Sequence, residues 1–176
     1  MKRSPVLGLI LLAWSTSGVT AQRDNTNVDA AVYLAVLQEM PPIATDRTAV
    51  VDPRLAASFG SGAHPIDVWE GHHAGESESP AVRQLRQMTS GIEFCAETAP
   101  RRCLPTADVV HVTFSDVVIE DSTVTVEATL ATRTSDERDS FDIQTWRYVF
   151  NLEPDGPVAA SRELLGRGHG RIGGHR

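Results

Sequence analysis

The chain has 176 residues and a formal net charge of −7, and this acidic balance argues against general binding to nucleic-acid phosphates. Its only lysine is Lys2, so the rest of the chain lacks the residue that forms Schiff bases or serves a P-loop. The length suits one domain with a sizeable hydrophobic core.

Residues 1–21 have the pattern of a secretory signal peptide. Lys2 and Arg3 precede an apolar run that ends at Trp14 and is too short to cross a bilayer, and the segment closes at Ala21. We therefore predict cleavage after Ala21 and a secreted or periplasmic protein. The mature chain would carry 14 arginines against 23 acidic residues, a net charge of −9, and no membrane span.

A first helix is predicted from Val28 to Met40. Apolar residues recur there at helical spacing, Asn27 can cap the start, and Pro41-Pro42 ends the pattern. A short extended segment follows at residues 48–52.

Residues 56–80 are rich in glycine, serine, histidine and acidic residues, which predicts a long surface loop. Imidazole and carboxylate groups are metal ligands, so the loop holds a candidate metal site, although no zinc-protease spacing is present. A solvated loop with incidental histidines is the alternative. The candidate ligands are His64, Asp67, Glu70, His72 and His73, with Glu76 nearby.

A second helix is predicted over about residues 80–91, followed by the only two cysteines, Cys95 and Cys103. An isolated pair in an exported protein usually forms a disulfide, which we predict here as a structural bond that stabilises the fold by roughly 2–3 kcal/mol. Arg101 and Arg102 lie between the cysteines and could bind an anion or simply remain solvated.

From Ala107 onward the apolar period changes to two, which predicts antiparallel strands at residues 110–114, 124–130, about 144–152 and 157–165. Pro154-Asp155-Gly156 indicates a tight turn. Residues 166–176 contain five glycines and are predicted to be a disordered tail, whose His169 and His175 could adsorb metal weakly. The predicted class is α+β: a single domain over residues 22–165, with helices packed on a curved antiparallel sheet of four or five strands.

The order of elements resembles the NTF2-like (SnoaL-like) superfamily, whose members form an α+β cone. The first helix with Tyr33, the aromatic run Thr145–Phe150 and the Asp155-Gly156 turn carry this resemblance. The chain has the His-rich loop where a third early helix is usual, and Pro157 where a tryptophan often follows the turn. A cystatin-like or other helix-on-sheet fold is the alternative.

The resemblance implies a cavity inside the cone, which Tyr33, His111, Gln144 and Arg147 would face. We predict ligand binding by Tyr33, Gln144, Trp146 and Arg147. The candidates for acid–base catalysis are His111 and Tyr33, because a histidine near its ordinary pKa suits proton transfer.

Three functions are compatible with these features. The first is non-catalytic: an exported protein that binds a small ligand in the cone, or a protein partner or second copy through the sheet. The second is a small isomerase, dehydratase or hydrolase with an acid–base pair in the cone. The third is a periplasmic metal-binding protein that uses the His-rich loop. No nucleotide or nucleophile motif is present, so no cofactor and no nucleic-acid partner are expected.

Overall fold

The structure is a computed structural model that describes residues 25–40, 47–56, 58–59, 78–95, 108–134 and 140–171. Within these ranges the fold is α+β, as predicted, with two helices and one curved, open sheet. The helices are α1 (Thr26–Gln38) and α2 (Pro80–Met88). The strands are β1 (Thr48–Val51), β2 (Glu93–Phe94), β3 (Val109–Phe114), β4 (Val118–Glu120), β5 (Thr123–Arg133), β6 (Ser140–Glu153) and β7 (Gly156–Arg171).

The sheet has seven strands in the order β2-β1-β3-β5-β6-β7, with β4 paired to β5. It therefore has more strands than the four or five predicted, since β2 and β4 are too short to show a period in the sequence. It is also mixed, because β1 runs parallel to both β2 and β3, whereas β3, β5, β6 and β7 are antiparallel. β3 and β4 lie end to end along β5.

One face of the sheet packs against both helices and is called the helix face here. It is defined by alternate residues of β5, Val124, Val126, Ala128 and Leu130, all nearly inaccessible to solvent. Their partners on β6 are Phe150, Tyr148, Trp146 and Gln144. The helices contribute the buried side chains Ala30, Val32, Tyr33, Val36, Ala81, Val82 and Leu85. Burial of this apolar set supplies the main driving force for folding.

The opposite face, called the polar face here, carries the intervening residues. They include His111, Thr113, Glu127, Thr129 and Thr145, all buried. Strand alternation predicts that one face of a half-exposed sheet is polar, but it does not predict that these polar groups are buried.

Both helices begin close to their predicted starts. Asn25, rather than Asn27, precedes α1, and Ser79 precedes α2 with Pro80 in the first turn, where proline is tolerated. α2 ends at Met88 rather than near residue 91, and Met88, whose apolar side chain has the helical spacing of Val82 and Leu85, is 46% exposed instead of buried.

The predicted tail needs correction. β7 continues to Arg171 and stays paired with β6, so residues 166–171 are strand rather than disordered chain. Glycines of this segment pair with Phe141, Ile143 and Thr145 of β6. The pairing forms despite the low apolar content of the segment, because the backbone hydrogen bonds between two strands need no side chain. Residues 172–176 and the signal segment lie outside the described residues. Within the described ranges, no helix is long and apolar enough to cross a membrane.

We predict that Leu85→Ala lowers the free energy of unfolding by about 2–5 kcal/mol, because the side chain is fully buried between α2 and the sheet. Met88→Ala on the same helix is the matched control and should change stability by less than about 1 kcal/mol. Urea unfolding followed by circular dichroism measures both. Equal losses from the two substitutions would contradict the packing of α2 through its Leu85 face.

Candidate functional site

Asp52 follows β1 directly and is the most heavily bonded carboxylate in the described part of the chain. The backbone N–H of Arg54 donates to Asp52 Oδ1 at 2.9 Å, and Arg54 Nε donates to the same oxygen at 3.1 Å. Arg54 Nη2 donates to Asp52 Oδ2 at 3.1 Å. The Asp-Pro-Arg sequence allows this, since an aspartate readily accepts from the backbone two residues on. The carboxylate is therefore held in one orientation.

His111 lies opposite Asp52 on the polar face. The parallel register pairs Val50 with His111, and the Asp52 N–H donates to the Val112 carbonyl at 2.8 Å. His111 Nε2 is 3.6 Å from Asp52 Oδ2, and both side chains are almost completely buried. Desolvation would raise the pKa of Asp52, but the hydrogen bonds from Arg54 and the nearby charges of His111 and Arg54 together hold it below its ordinary value.

Cys95 completes a three-residue group, called the Asp-His-Cys cluster here. The Cys95 N–H donates to the Val51 carbonyl at 2.9 Å. This hydrogen bond continues the pairing of β2 with β1 by one residue. One carboxylate oxygen of Asp52, one ring nitrogen of His111 and the sulfur of Cys95 lie within 4.8 Å of one another. Cys95 is disulfide-bonded, as predicted, and Cys103, the other cysteine of the chain, lies outside the described residues.

A second ionic group lies further along the polar face. Arg147 Nη2 contacts Glu127 Oε1 at 3.1 Å across β5 and β6, and the other carboxylate oxygen of Glu127 accepts from the Phe59 N–H. The Glu127 N–H donates to Ser115 Oγ at 3.0 Å. Glu127 thus has a partner for each of its carboxylate oxygens.

The predicted cavity set is divided between the two faces of the sheet. Arg147 and His111 lie on the polar face, whereas Tyr33 and Gln144 lie on the helix side. The expectation that all four side chains face one cavity is therefore wrong. The apolar period of β3 and β6 was correctly assigned, but the polar residues between the apolar ones point away from the helices.

Tyr33 has a structural contact for its hydroxyl. The Tyr33 hydroxyl donates to the Ser115 carbonyl at 3.0 Å, and the Tyr33 ring stacks on the Phe114 ring with centroids 4.4 Å apart. Burial, followed by the charges of Asp29 and Asp116, raises the pKa of Tyr33 far above its usual range. Deprotonation of Tyr33, which catalysis by a tyrosinate base would need, is therefore strongly disfavoured.

Trp146 and Gln144 lie together on the helix face, near its margin, as a half-buried pair. Trp146 Nε1 donates to Gln144 Oε1 at 3.0 Å. The Arg162 guanidinium from β7 lies 5.8 Å from the Trp146 ring centroid, and its Nη1 donates to the Glu39 carbonyl at 2.7 Å, at the end of α1. We call Gln144, Trp146, Tyr148 and Arg162 the tryptophan patch.

Tyr148 is the unusual member of the tryptophan patch. Its side chain is 1% exposed, and its hydroxyl has no hydrogen-bond partner among the described residues. Tyr148 pairs with Arg162 across β6 and β7. Desolvation raises its pKa to about 12 although Arg162 lowers it, with Glu39 adding a further increase. A buried hydroxyl without a partner costs about 1–3 kcal/mol, so a ligand or solvent contact would stabilise it.

Of the predicted site residues, the structure therefore brings Gln144 and Trp146 together and places Tyr33 in the core. The predicted metal ligands His64, Asp67, Glu70, His72 and His73 lie outside the described residues, as do Arg101 and Arg102. His169, predicted to lie in the tail, is on β7, with its Nδ1 3.1 Å from Asp142 Oδ1. Sequence reasoning missed Asp52, Arg54, Glu127, Tyr148 and Arg162 as polar contacts.

Comparison with protein-family models, with curated proteins and with solved structures finds no match to this chain. Geometry and chemistry of the described residues are therefore the basis for a functional assignment.

We predict that Asp52→Asn destabilises the protein by about 3 kcal/mol at neutral pH, because Arg54 loses a buried ionic partner. The folded-state pKa of Asp52 is lowered, so its contribution is present above about pH 4 and disappears as the pH falls through the folded value. The difference in stability between Asp52→Asn and the wild type should therefore shrink as the pH is lowered. Thermal unfolding across the acidic range measures it.

Asp142→Asn is the matched control, since Asp142 forms an ion pair with His169 that is about half exposed. It should change stability by less than about 1 kcal/mol. A loss from Asp52→Asn that stays constant down to strongly acidic pH would contradict the ionic role assigned to Asp52.

Proposed function

We propose that the protein is an exported, NTF2-like binding protein that takes up a small amphipathic carboxylate at the tryptophan patch. The observation that carries this proposal is the Tyr148 hydroxyl, which is buried beside Arg162 without a hydrogen-bond partner among the described residues. A carboxylate oxygen accepts hydrogen bonds from a phenol and a guanidinium alike.

The apolar part of such a ligand has a surface to contact. Trp146 is half-buried, and the hydrogen bond from its indole to Gln144 fixes the plane of the ring. Aromatic side chains with one polar contact offer large contact area at a low cost in conformational entropy. Gln144 keeps its amide N–H₂ group as a further donor, since the bond to Trp146 uses its oxygen.

Arg162 supplies the charge. One of its five N–H groups is used on the Glu39 carbonyl, and the residue is exposed. In a protein of net charge −7, a guanidinium that forms no salt bridge within the described residues is a local site for an anion. Arg162 is therefore the expected partner of the carboxylate.

The backbone around the tryptophan patch is irregular. The β6–β7 pairing shifts register between Thr145 and Trp146 and again between Val149 and Phe150. Such bulges change the direction of side chains and are frequent next to binding sites. Here they bracket the segment that holds Trp146 and Tyr148.

The disulfide of Cys95 supports the exported location, because disulfides persist mainly in oxidising compartments. The packing of helices on one face of a curved sheet is compatible with an NTF2-like plan, in which a ligand would lie between the two layers.

We predict that 2-naphthoate binds the mature protein and that the neutral 2-naphthylmethanol binds at least roughly tenfold more weakly, because only the carboxylate is charged and can accept from Arg162 and Tyr148 with two oxygens. The indole N–H resonance of Trp146 in a ¹H–¹⁵N spectrum reports the binding site. No shift of that resonance up to the solubility limit of 2-naphthoate would refute the proposal.

Variants separate binding from folding. Tyr148→Phe should weaken 2-naphthoate binding by roughly tenfold and leave the protein as stable as wild type or up to about 1 kcal/mol more stable, since the lost hydroxyl had no partner. Arg162→Gln should abolish the preference for the carboxylate. Arg83→Gln, an exposed arginine on α2, is the control and should bind as wild type does.

A further inference from the structure

We propose that the Asp-His-Cys cluster is a zinc site in the reduced chain and that formation of the Cys95 disulfide closes it. The site lies on the polar face and is independent of the tryptophan patch. The metal would be held by Asp52, His111 and Cys95, with one coordination position left for water. This three-ligand set of carboxylate, imidazole and thiolate is chemically suited to Zn²⁺.

The spacing of Asp52 and His111 supports a metal. His111 Nε2 and Asp52 Oδ2 are 3.6 Å apart, which is longer than a hydrogen bond between these atoms. Two ligands on a tetrahedral zinc ion, with Zn–N and Zn–O of about 2.0–2.2 Å, lie about 3.4 Å apart. The two groups thus already have the separation of adjacent metal ligands.

The third ligand is close enough to complete the site. All three ligand atoms lie within 4.8 Å of one another, and we expect rotation of the Cys95 side chain after reduction to bring its sulfur to about 2.3 Å from the ion. The backbones that carry the three ligands already lie side by side, because β1 is hydrogen-bonded to β2 on one side and to β3 on the other.

Arg54 acts as the orienting group around this site. Arg54 donates two hydrogen bonds to Oδ1 and one to Oδ2, and Oδ2 is also the oxygen that lies 3.6 Å from His111 Nε2. Hydrogen bonds to a ligating carboxylate fix its orientation in metal sites. The charges also balance, since the two anionic ligands neutralise Zn²⁺ and the guanidinium stays outside.

Thr113 provides an independent observation. Its side chain is 1% exposed, and its hydroxyl has no hydrogen-bond partner among the described residues. It is two residues from His111 on the same strand and therefore on the same face. A water molecule in the fourth coordination position would give this hydroxyl a partner.

The chemistry that switches the site is thiol–disulfide exchange. A dithiol reductant attacks the disulfide, becomes a disulfide itself, and leaves one proton on each sulfur released from the protein. Zinc then binds the Cys95 sulfur and displaces its proton to solvent. Because Asp52, Cys95 and His111 are buried, we expect the metal to enter most readily when the reduced chain is refolded in its presence.

The test uses Co²⁺ as a spectroscopic substitute for zinc. The mature protein is unfolded, reduced with a phosphine that does not bind the metal, and refolded with Co²⁺. We expect sulfur-to-cobalt charge-transfer absorption and one Co²⁺ per chain, displaced by Zn²⁺. The oxidised protein, treated in the same way without phosphine, should show none.

Three variants make the result specific. Cys103→Ser removes the other cysteine and should bind Co²⁺ with the same absorption without any reductant. Cys95→Ser keeps the histidines of residues 64–73 and should lose the charge-transfer band, so any binding that persists belongs to that segment. His111→Ala should weaken cobalt binding by roughly tenfold or more.

Absence of the charge-transfer band in both the reduced wild type and Cys103→Ser, with a folded far-ultraviolet spectrum, would overturn the proposal. Full affinity in folded His111→Ala would do the same. If His111→Ala does not fold, Asp52→Asn is tested instead, and full cobalt affinity in folded Asp52→Asn would overturn the proposal.

Discussion

Arg54 directs three N–H groups at the carboxylate of Asp52, and this contact lies where β1 leaves the sheet. β1 is the strand on which the parallel part of the sheet depends, because it joins β2 on one side to β3 on the other. A buried carboxylate without such donors would be neutral or would push the strand outward. The fork of hydrogen bonds keeps Asp52 charged and in place. His111 and Cys95 are then brought to it by their strands.

The two faces of the sheet differ in how their buried groups are stabilised. The helix face holds an apolar core, in which the Tyr33 hydroxyl donates to the Ser115 carbonyl and the Tyr148 hydroxyl has no partner among the described residues. The polar face buries charged and hydroxyl groups, which is costly unless each has a partner. Glu127 meets this condition, because its two carboxylate oxygens accept from Arg147 and from the Phe59 N–H. The hydroxyl of Thr113 has no hydrogen-bond partner among the described residues, so a water molecule or ligand bound beside it would be stabilised.

β6 and β7 form a long ribbon that is stabilised mainly by its backbone ladder. Residues 156–169 of β7 are exposed or half-buried. In the tryptophan patch, the half-buried Trp146 and the exposed Arg162 adjoin the buried Tyr148. Binding at the tryptophan patch and metal chemistry on the polar face would be separated by the sheet itself. One would respond to an organic anion and the other to the redox state of Cys95.

The sequence by itself determined the elements with a clear period. The alternation in β5 and the aromatic run of β6 predicted both strands and their inner faces. The helical spacing of apolar residues predicted α1 and α2. Both kinds of pattern are local, because they show which side of an element is apolar. The presence of one isolated cysteine pair in a chain with a signal-peptide pattern predicted a disulfide for Cys95. What the tertiary structure decided was the pairing of distant segments. Asp52 and His111 are 59 positions apart and meet only because β1 inserts parallel to β3, and no local period encodes a parallel neighbour. Likewise Tyr148 has the pattern of one more aromatic core residue, and only packing shows that its hydroxyl was left without a partner among the described residues.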